Sequence, residues 1–257
     1  MFDFCYFIDM EKKINKKTEP TREKPRLNVY IAHSGLCSRR KADELIAQGE
    51  ITVNHGIIRH AGYQVQDKDT VRYKKKVVKP GLIKTITLAL NKPIGVITAA
   101  ADDKHRATVM DLLDKKFKTR VYPIGRLDLN TSGLLLLTND GELAHKLAHP
   151  KFNVQKVYQV TLNADLSDAH LERIKKGIRL TDGPIKVDLI HRGLQKYKAK
   201  VTVHSGRFRI VRRIFESLGY TVRKLDRINF AGITKRNLAE GQYRILTEQE
   251  LALLKKI

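Results

Sequence analysis

The stretch VYPIGRLDLNTSGLLLLTNDGELAHKLAHPKFNVQKVYQV, residues 121–160, decides how the rest of the chain is read. Leu134 to Leu137 form an apolar run too short for a typical helix and bounded by turn residues, the pattern of a fully buried strand. Asn139-Asp140-Gly141 is a turn signal, and Glu142 to Ala148 has the composition of a short helix. Lys156 to Val160 alternates, ends in β-formers and reads as a second strand. Just before the leucines, Gly125-Arg126-Leu127-Asp128 sets one carboxylate at the edge of a core. Taken alone, Asp128 caps a turn and Tyr158 is a half-buried strand aromatic.

A chain of 257 residues holds one large domain or a large and a small one, and 42% hydrophobic residues suffice for a core. Fifty Lys and Arg against 27 Asp and Glu give a formal charge of +23. The first 25 residues hold six basic and five acidic side chains, so +22 of that charge lies beyond them. A folded surface this basic calls for a polyanionic partner, nucleic acid first. An anionic membrane surface explains the charge alone: there is no long basic amphipathic helix and no lipidation signal. No run approaches the roughly 18 apolar residues of a membrane span. Cys5 and Cys37 have no metal-ligand spacing and fit a reduced, cytoplasmic protein. MFDFCYFI is too short and too acidic for a signal peptide, and Met10 is an expected alternative start. Residues 1–25 read as a disordered tail.

A first folded unit is expected over residues 26–73. Leu27, Tyr30 and Ile31 have helical spacing, Ser38 is an N-cap for a helix over Arg39 to Gln48, and Gly49 ends it. A hairpin follows from Ile51 to Ile58 around His55-Gly56, then a strand from Val65 to Tyr73. Arg39-Arg40-Lys41 crowds three cations at the positive end of a helix dipole, a cost of about a few tenths of a kcal/mol per charge. They are either a solvated basic turn or phosphate ligands working with the free N–H groups of the helix start. Residues 74–84, KKKVVKPGLIK, have charge, Pro and Gly without periodicity and read as a linker. Residues 85–257 make the second unit. It opens with a strand from Thr85 to Leu90 and a turn at Asn91-Lys92-Pro93-Ile94-Gly95, where Lys92 reads as a surface charge. A helix is expected over Leu166 to Ile178 and a strand over Lys196 to Val203. From Lys198 to Arg227 nine basic residues stand against two acidic ones, with Phe208, Phe215 and Tyr220 interleaved. Cations suit phosphate and rings suit unpaired bases, so the segment suits RNA. It also reads as a helix with Ile210, Ile214 and Leu218 facing the core. Asp102-Asp103 and the His145/His149 pair lack the further ligands a metal needs, so no metal site is expected.

GRLDxxTxGLLLLTNDG over residues 125–141 resembles the catalytic motif of ribosomal RNA pseudouridine synthases of the RsuA/RluB type. The resemblance continues in NKPxG followed by TVMDLL, in Lys156-x-Tyr158, and in the Gly206 to Phe215 segment, GRFRIVRRIF. It implies that Asp128 is the single catalytic carboxylate, that Tyr158 lies against the target base, and that Arg212 pairs with Asp128. Arg126, Arg207, Arg209, Arg213 and Lys92 are the RNA-contacting candidates of this unit. LNVYIAHSGLCSRRKADELIAQGEITVNHGII is similar to the small S-four RNA-binding domain, which implies phosphate contacts from Arg39, Arg40 and Lys41. The implied fold is α+β: a small α/β RNA-binding domain, then a mixed, mostly antiparallel sheet flanked by helices. The implied activity is isomerisation of uridine to pseudouridine in ribosomal RNA, in large-subunit RNA or an assembly intermediate rather than small-subunit RNA, without cofactor, metal or obligatory protein partner. The chain departs from the family at Phe208, Ile210 and Ile214, where Asn, Gln and Met are usual, which bears on how the loop is positioned. The alternative is a non-catalytic RNA-binding or ribosome-assembly protein on the same scaffold; a pure binder has no need of Asp128, Tyr158 and Arg212 together.

Overall fold

The computed structural model describes residues 24–81, 84–114, 117 and 119–257. The expected tail up to residue 23, with Cys5 and Met10, lies outside the described residues. The chain forms two compact units, the second beginning at Lys84.

In the first unit, α1 (Leu27–His33) and α2 (Arg39–Ala47) pack beside a four-stranded sheet. Its strands are β1 (Ile51–Val53), β2 (Gly56–Ile57), β3 (Val71–Tyr73) and β4 (Lys76–Val77), in the order β2-β1-β3-β4. Ser38 caps α2, its hydroxyl accepting from the Lys41 amide at 3.0 Å. Leu27, Ile31, Leu45, Ile46, Ile51 and Val71 fill the core. Two expectations need correction. The strand expected from Val65 begins only at Val71, because the Asp69 carboxylate turns the chain by accepting from Gln66 N, Tyr63 Oη and Asn54 Nδ2 at 2.8, 2.7 and 2.7 Å. The linker expected over residues 74–84 begins later: β4 pairs with β3, and Val78 is buried in this unit's core. Lys74 and Lys75 form the connecting two-residue turn, both in the left-handed region. Such turns favour Asn and Gly, so a Lys-Lys turn carries no signal in the sequence.

The second unit is built on a nine-stranded sheet. Its strands are β5 (Thr87–Lys92), β6 (Tyr122–Pro123), β7 (Ser132–Thr138), β8 (Lys156–Leu162), β11 (Leu189–Arg192), β12 (Lys198–Val203), β13 (Val222–Phe230), β14 (Ile233–Thr234) and β15 (Tyr243–Ile245). The order is β11-β12-β8-β13-β7-β5-β15, with β6 beside β7 and β14 beside β13. Only β13 and β7 run parallel; the other pairs are antiparallel. A separate hairpin, β9 (Ile178–Leu180) with β10 (Gly183–Ile185), stands beside it. The helices are α3 (Gly141–Ala148), α4 (Asp168–Lys176), α5 (Ile210–Glu216) and α6 (Glu248–Lys255).

The four-leucine run explains itself in this sheet. Successive strand residues point to opposite faces. Leu134 and Leu136 enter one core cluster with Phe230 and Leu143, and Leu135 and Leu137 enter another with Leu88 and Leu127. Both faces of β7 are covered, so alternation vanishes. Asp140 then caps α3, its Oδ1 accepting from the Glu142 and Leu143 amides at 3.0 Å each. The helix expected over Leu166 to Ile178 is shorter, capped by Ser167 and stopped at Gly177, whose φ of +111° a helix cannot use. No helix among the described residues is long and apolar enough to cross a membrane.

Candidate active site

Asp128 lies in the loop between β6 and β7, and the backbone around it is tied at several points. Thr98 Oγ1 donates to Leu127 O at 2.8 Å and accepts from Leu127 N at 3.2 Å. The Gly95 and Thr131 amides donate to Leu129 O and Asp128 O, each at 3.0 Å. Leu127 is buried as an anchor, while the Asp128 side chain is half-buried and borders a cavity of about 300 Å³. The walls come from this loop, from Lys156 and Tyr158 on β8, from Leu225, Arg227 and Phe230 on β13, and from residues 205–211. Five cations line the cavity (Arg126, Lys156, Arg207, Arg209 and Arg227), and Asp128 is the one carboxylate among its lining residues. A space this size lies within the roughly 300–1,000 Å³ of small-molecule sites.

The expected site residues are brought together unequally. Tyr158 faces Arg227 across the β8–β13 pair and packs against two core clusters, so its ring is held on the cavity wall. Arg212 is buried, but no ion pair joins it to Asp128 within 4 Å. Its guanidinium donates to Val222 O at 2.8 Å and to Asn130 O at 2.6 Å, two residues past Asp128. The expected pairing is therefore corrected: Arg212 holds the loop's backbone and acts on the carboxylate only through space. Burial lowers the Arg212 pKa and Arg209 adds to this, while Asp128 pulls the other way.

Lys92 is also corrected. It is fully buried, donates to Pro93 O at 2.8 Å, and cannot reach a phosphate. Arg207 and Arg213 both grip Asp182, in the turn between β9 and β10. Together, Arg213 first, they hold its carboxyl far below the usual carboxylate range. Arg126 is exposed, and Arg209 sits at the N-cap of α5 in a left-handed conformation. In the first unit Arg39, Arg40 and Lys41 are exposed, and Lys41 pairs with Glu44 on its own helix at 2.8 Å. Two cavity cations were not anticipated from the sequence. Lys156 shares a strand face with Tyr158 by the two-residue period, a usable signal; burial lowers its ammonium to about 8, Arg227 adding to this. Arg227 required the strand register. It donates through Nε to Leu134 O at 2.7 Å, lies 4.7 Å over the Phe230 ring, and leaves Nη2 buried without a partner. Asp102 is engaged by Arg106, and His145 and His149 each meet the Phe152 ring edge to face. Among the described residues no group of three His, Cys, Asp or Glu could hold a metal.

The family model of RNA pseudouridylate synthases matches residues 86–217, and that of the S4 domain matches residues 25–71. The chain is 41% identical over 237 residues to the ribosomal large subunit pseudouridine synthase B of Bacillus subtilis, covering 90% of this chain and 96% of that protein. The chain belongs to the RNA pseudouridylate synthase family. It is also 33% identical to the dual-specificity RNA pseudouridine synthase RluF of Escherichia coli O157:H7, over 90% of this chain and 79% of that one. A crystal structure of a pseudouridylate synthase superposes with a TM-score of 0.63 at 28% identity, covering 89% of this chain and 99% of that chain. This family member is thus an isomerase with an S4 domain ahead of its catalytic unit.

Proposed function

We propose that the enzyme isomerises uridine to pseudouridine in ribosomal RNA, specifically in large-subunit RNA or an assembly intermediate met in the cytoplasm, with Asp128 as its catalytic carboxylate. The observation that carries this reading is the lone carboxylate in a cavity whose other charged lining residues are all cations. Cations draw in a polyanion, and a single acid among them has a chemical task rather than an electrostatic one. The Bacillus subtilis relative is named for the large subunit, which supports that choice of RNA.

The reaction breaks the N1–C1′ bond of one nucleotide, turns the uracil, and rejoins it through C5; the C5 proton leaves and N1 gains one. All the atoms belong to the same residue and no electrons are exchanged with a second molecule, so the proposal calls for no cofactor. Asp128 serves either as nucleophile on C1′ or as base toward the 2′ proton, and both need it ionised. Arg212 fixes the loop at Asn130 and contributes positive potential. Tyr158 lies on the wall against which the uracil would turn. The uridine must leave its stack, at a cost of about a few kcal/mol, and phosphate contacts help meet it. The first unit, tethered to the second, adds affinity through effective concentration.

Purified enzyme incubated separately with protein-free large- and small-subunit RNA, followed by chemical mapping of pseudouridine, tests this. Wild type should mark the large-subunit RNA. Asp128→Asn should lower turnover by roughly 10³-fold or more while still binding RNA. Comparable turnover by Asp128→Asn removes the residue from its role. Tight binding without any mark, in free RNA and in precursor particles, favours a binding protein.

A further inference from the structure

The basic segment contributes three aromatic rings, and the structure separates them. Phe215, on α5, and Tyr220, just after it, are buried in one core cluster. Phe208 is 72% exposed and borders the Asp128 cavity. Its neighbours hold its backbone in place. On one side Arg207 donates through Nε to Asp182 at 3.0 Å and through Nη1 to Pro184 O at 2.9 Å. On the other, Arg209 begins α5 with φ +47°, and Arg213 reaches both Asp182 and, at 3.4 Å, Phe208 O. The loop thus depends on its arginines and on Asp182, while the ring itself belongs to no core cluster and to none of the ring contacts among the described residues.

We propose that Phe208 is a base-stacking residue, its ring packing on the unpaired base left beside the extruded uridine. This rests on the reading that the cavity receives a uridine of RNA. Extruding one nucleotide exposes the faces of its neighbours, and an apolar ring in the gap offsets part of the lost stacking. A ring beside a cation is the chemistry that single-stranded RNA takes: a phosphate meets Arg209, whose contact with Glu216 is a loose 3.6 Å, while a base meets the flat face of the ring and Arg207 keeps its hold on Asp182. The tether to the β9–β10 hairpin presents the ring without ordering a loose loop at the moment of binding.

The chain has no tryptophan, so Phe208→Trp installs a single indole reporter at the site. Its fluorescence should be quenched by a large-subunit RNA transcript and unaffected by polyphosphate, a polyanion without bases. Phe208→Leu keeps an apolar side chain but loses the flat face; it should weaken RNA binding and kcat/KM by about tenfold, with the thermal midpoint unchanged, while Phe208→Trp, which keeps a flat face, should lose less of both. An unquenched indole in protein shown by filter binding to hold the RNA overturns the proposal, as does a Phe208→Leu variant equal to wild type. The enclosing reading fails separately. If wild type makes no pseudouridine but the indole is still quenched, the catalytic assignment falls and the stacking stands; turnover by wild type with an unquenched indole has the opposite meaning.

Discussion

Lys92 is completely buried in the second unit, and it carries a charge. Removal from water lowers its pKa to about 8, against the pull of Asp128 and Glu240. In the unfolded chain the same group titrates near about 10.4. Between these two values the unfolded state holds a proton that the folded state has released, so stability rises with pH across that window. Thermal unfolding from about pH 7 to about pH 9.5 should therefore show wild type gaining on Lys92→Met. A constant gap would mean that Lys92 keeps its ordinary pKa in the fold. The sequence hides this burial, because Asn-Lys-Pro reads as a solvated turn, while both Asn91 and Lys92 are the buried last residues of β5. Taken alone Asp128 reads as a turn cap; the resemblance of its GRLD motif is what singles it out, and in the fold it borders the cavity. The partner of Arg212 was not legible: its hydrogen bonds go to backbone carbonyls, which every residue has.

At the scale of the elements, β7 organises the catalytic unit, and Gly133 sets how closely it meets its neighbour. Its φ is +109°, and a Cβ built there would lie 2.3 Å from Arg227 O and 2.5 Å from Asp226 Oδ1. Backbone cannot yield as a flexible side chain can. Gly133→Ala should cost more than about 2 kcal/mol in urea unfolding, and loss of activity should follow, because the same strand carries the Asp128 loop. A variant within about 0.5 kcal/mol of wild type would show that β7 and β13 can move apart cheaply. The Ser38 cap and the four-leucine strand were readable from local sequence, whereas Asp140 read only as a turn residue and Ser167 gave no reading, though each caps its helix. The parallel pairing of β7 with β13 was not, since it joins Ser132 to Asp226, 94 positions away, and no local pattern encodes a partner that distant.

For the whole molecule, the charge of +23 means that RNA binding depends strongly on salt. Arg39 and Arg40 are exposed at the start of α2, whereas the neighbouring Lys41 is engaged with Glu44. Replacing both arginines by alanine should flatten the plot of log affinity against log salt by about 0.7–0.9 for each phosphate that is no longer neutralised. An unchanged slope would mean that the S4 unit touches no phosphate. The separation of the two units also bears on synthesis of the chain. Among the described residues, the core of the first unit falls between Leu27 and Val78, whereas the cavity walls extend to Phe230. A growing chain emerging amino-terminus first would therefore complete the RNA-binding unit while most of the catalytic sheet was still unmade. The cavity closes only after β13 arrives to pair with β7 and β8. A polypeptide released early, before β13, would retain the binding unit and lack the chemistry: a competitor for the enzyme's own substrate.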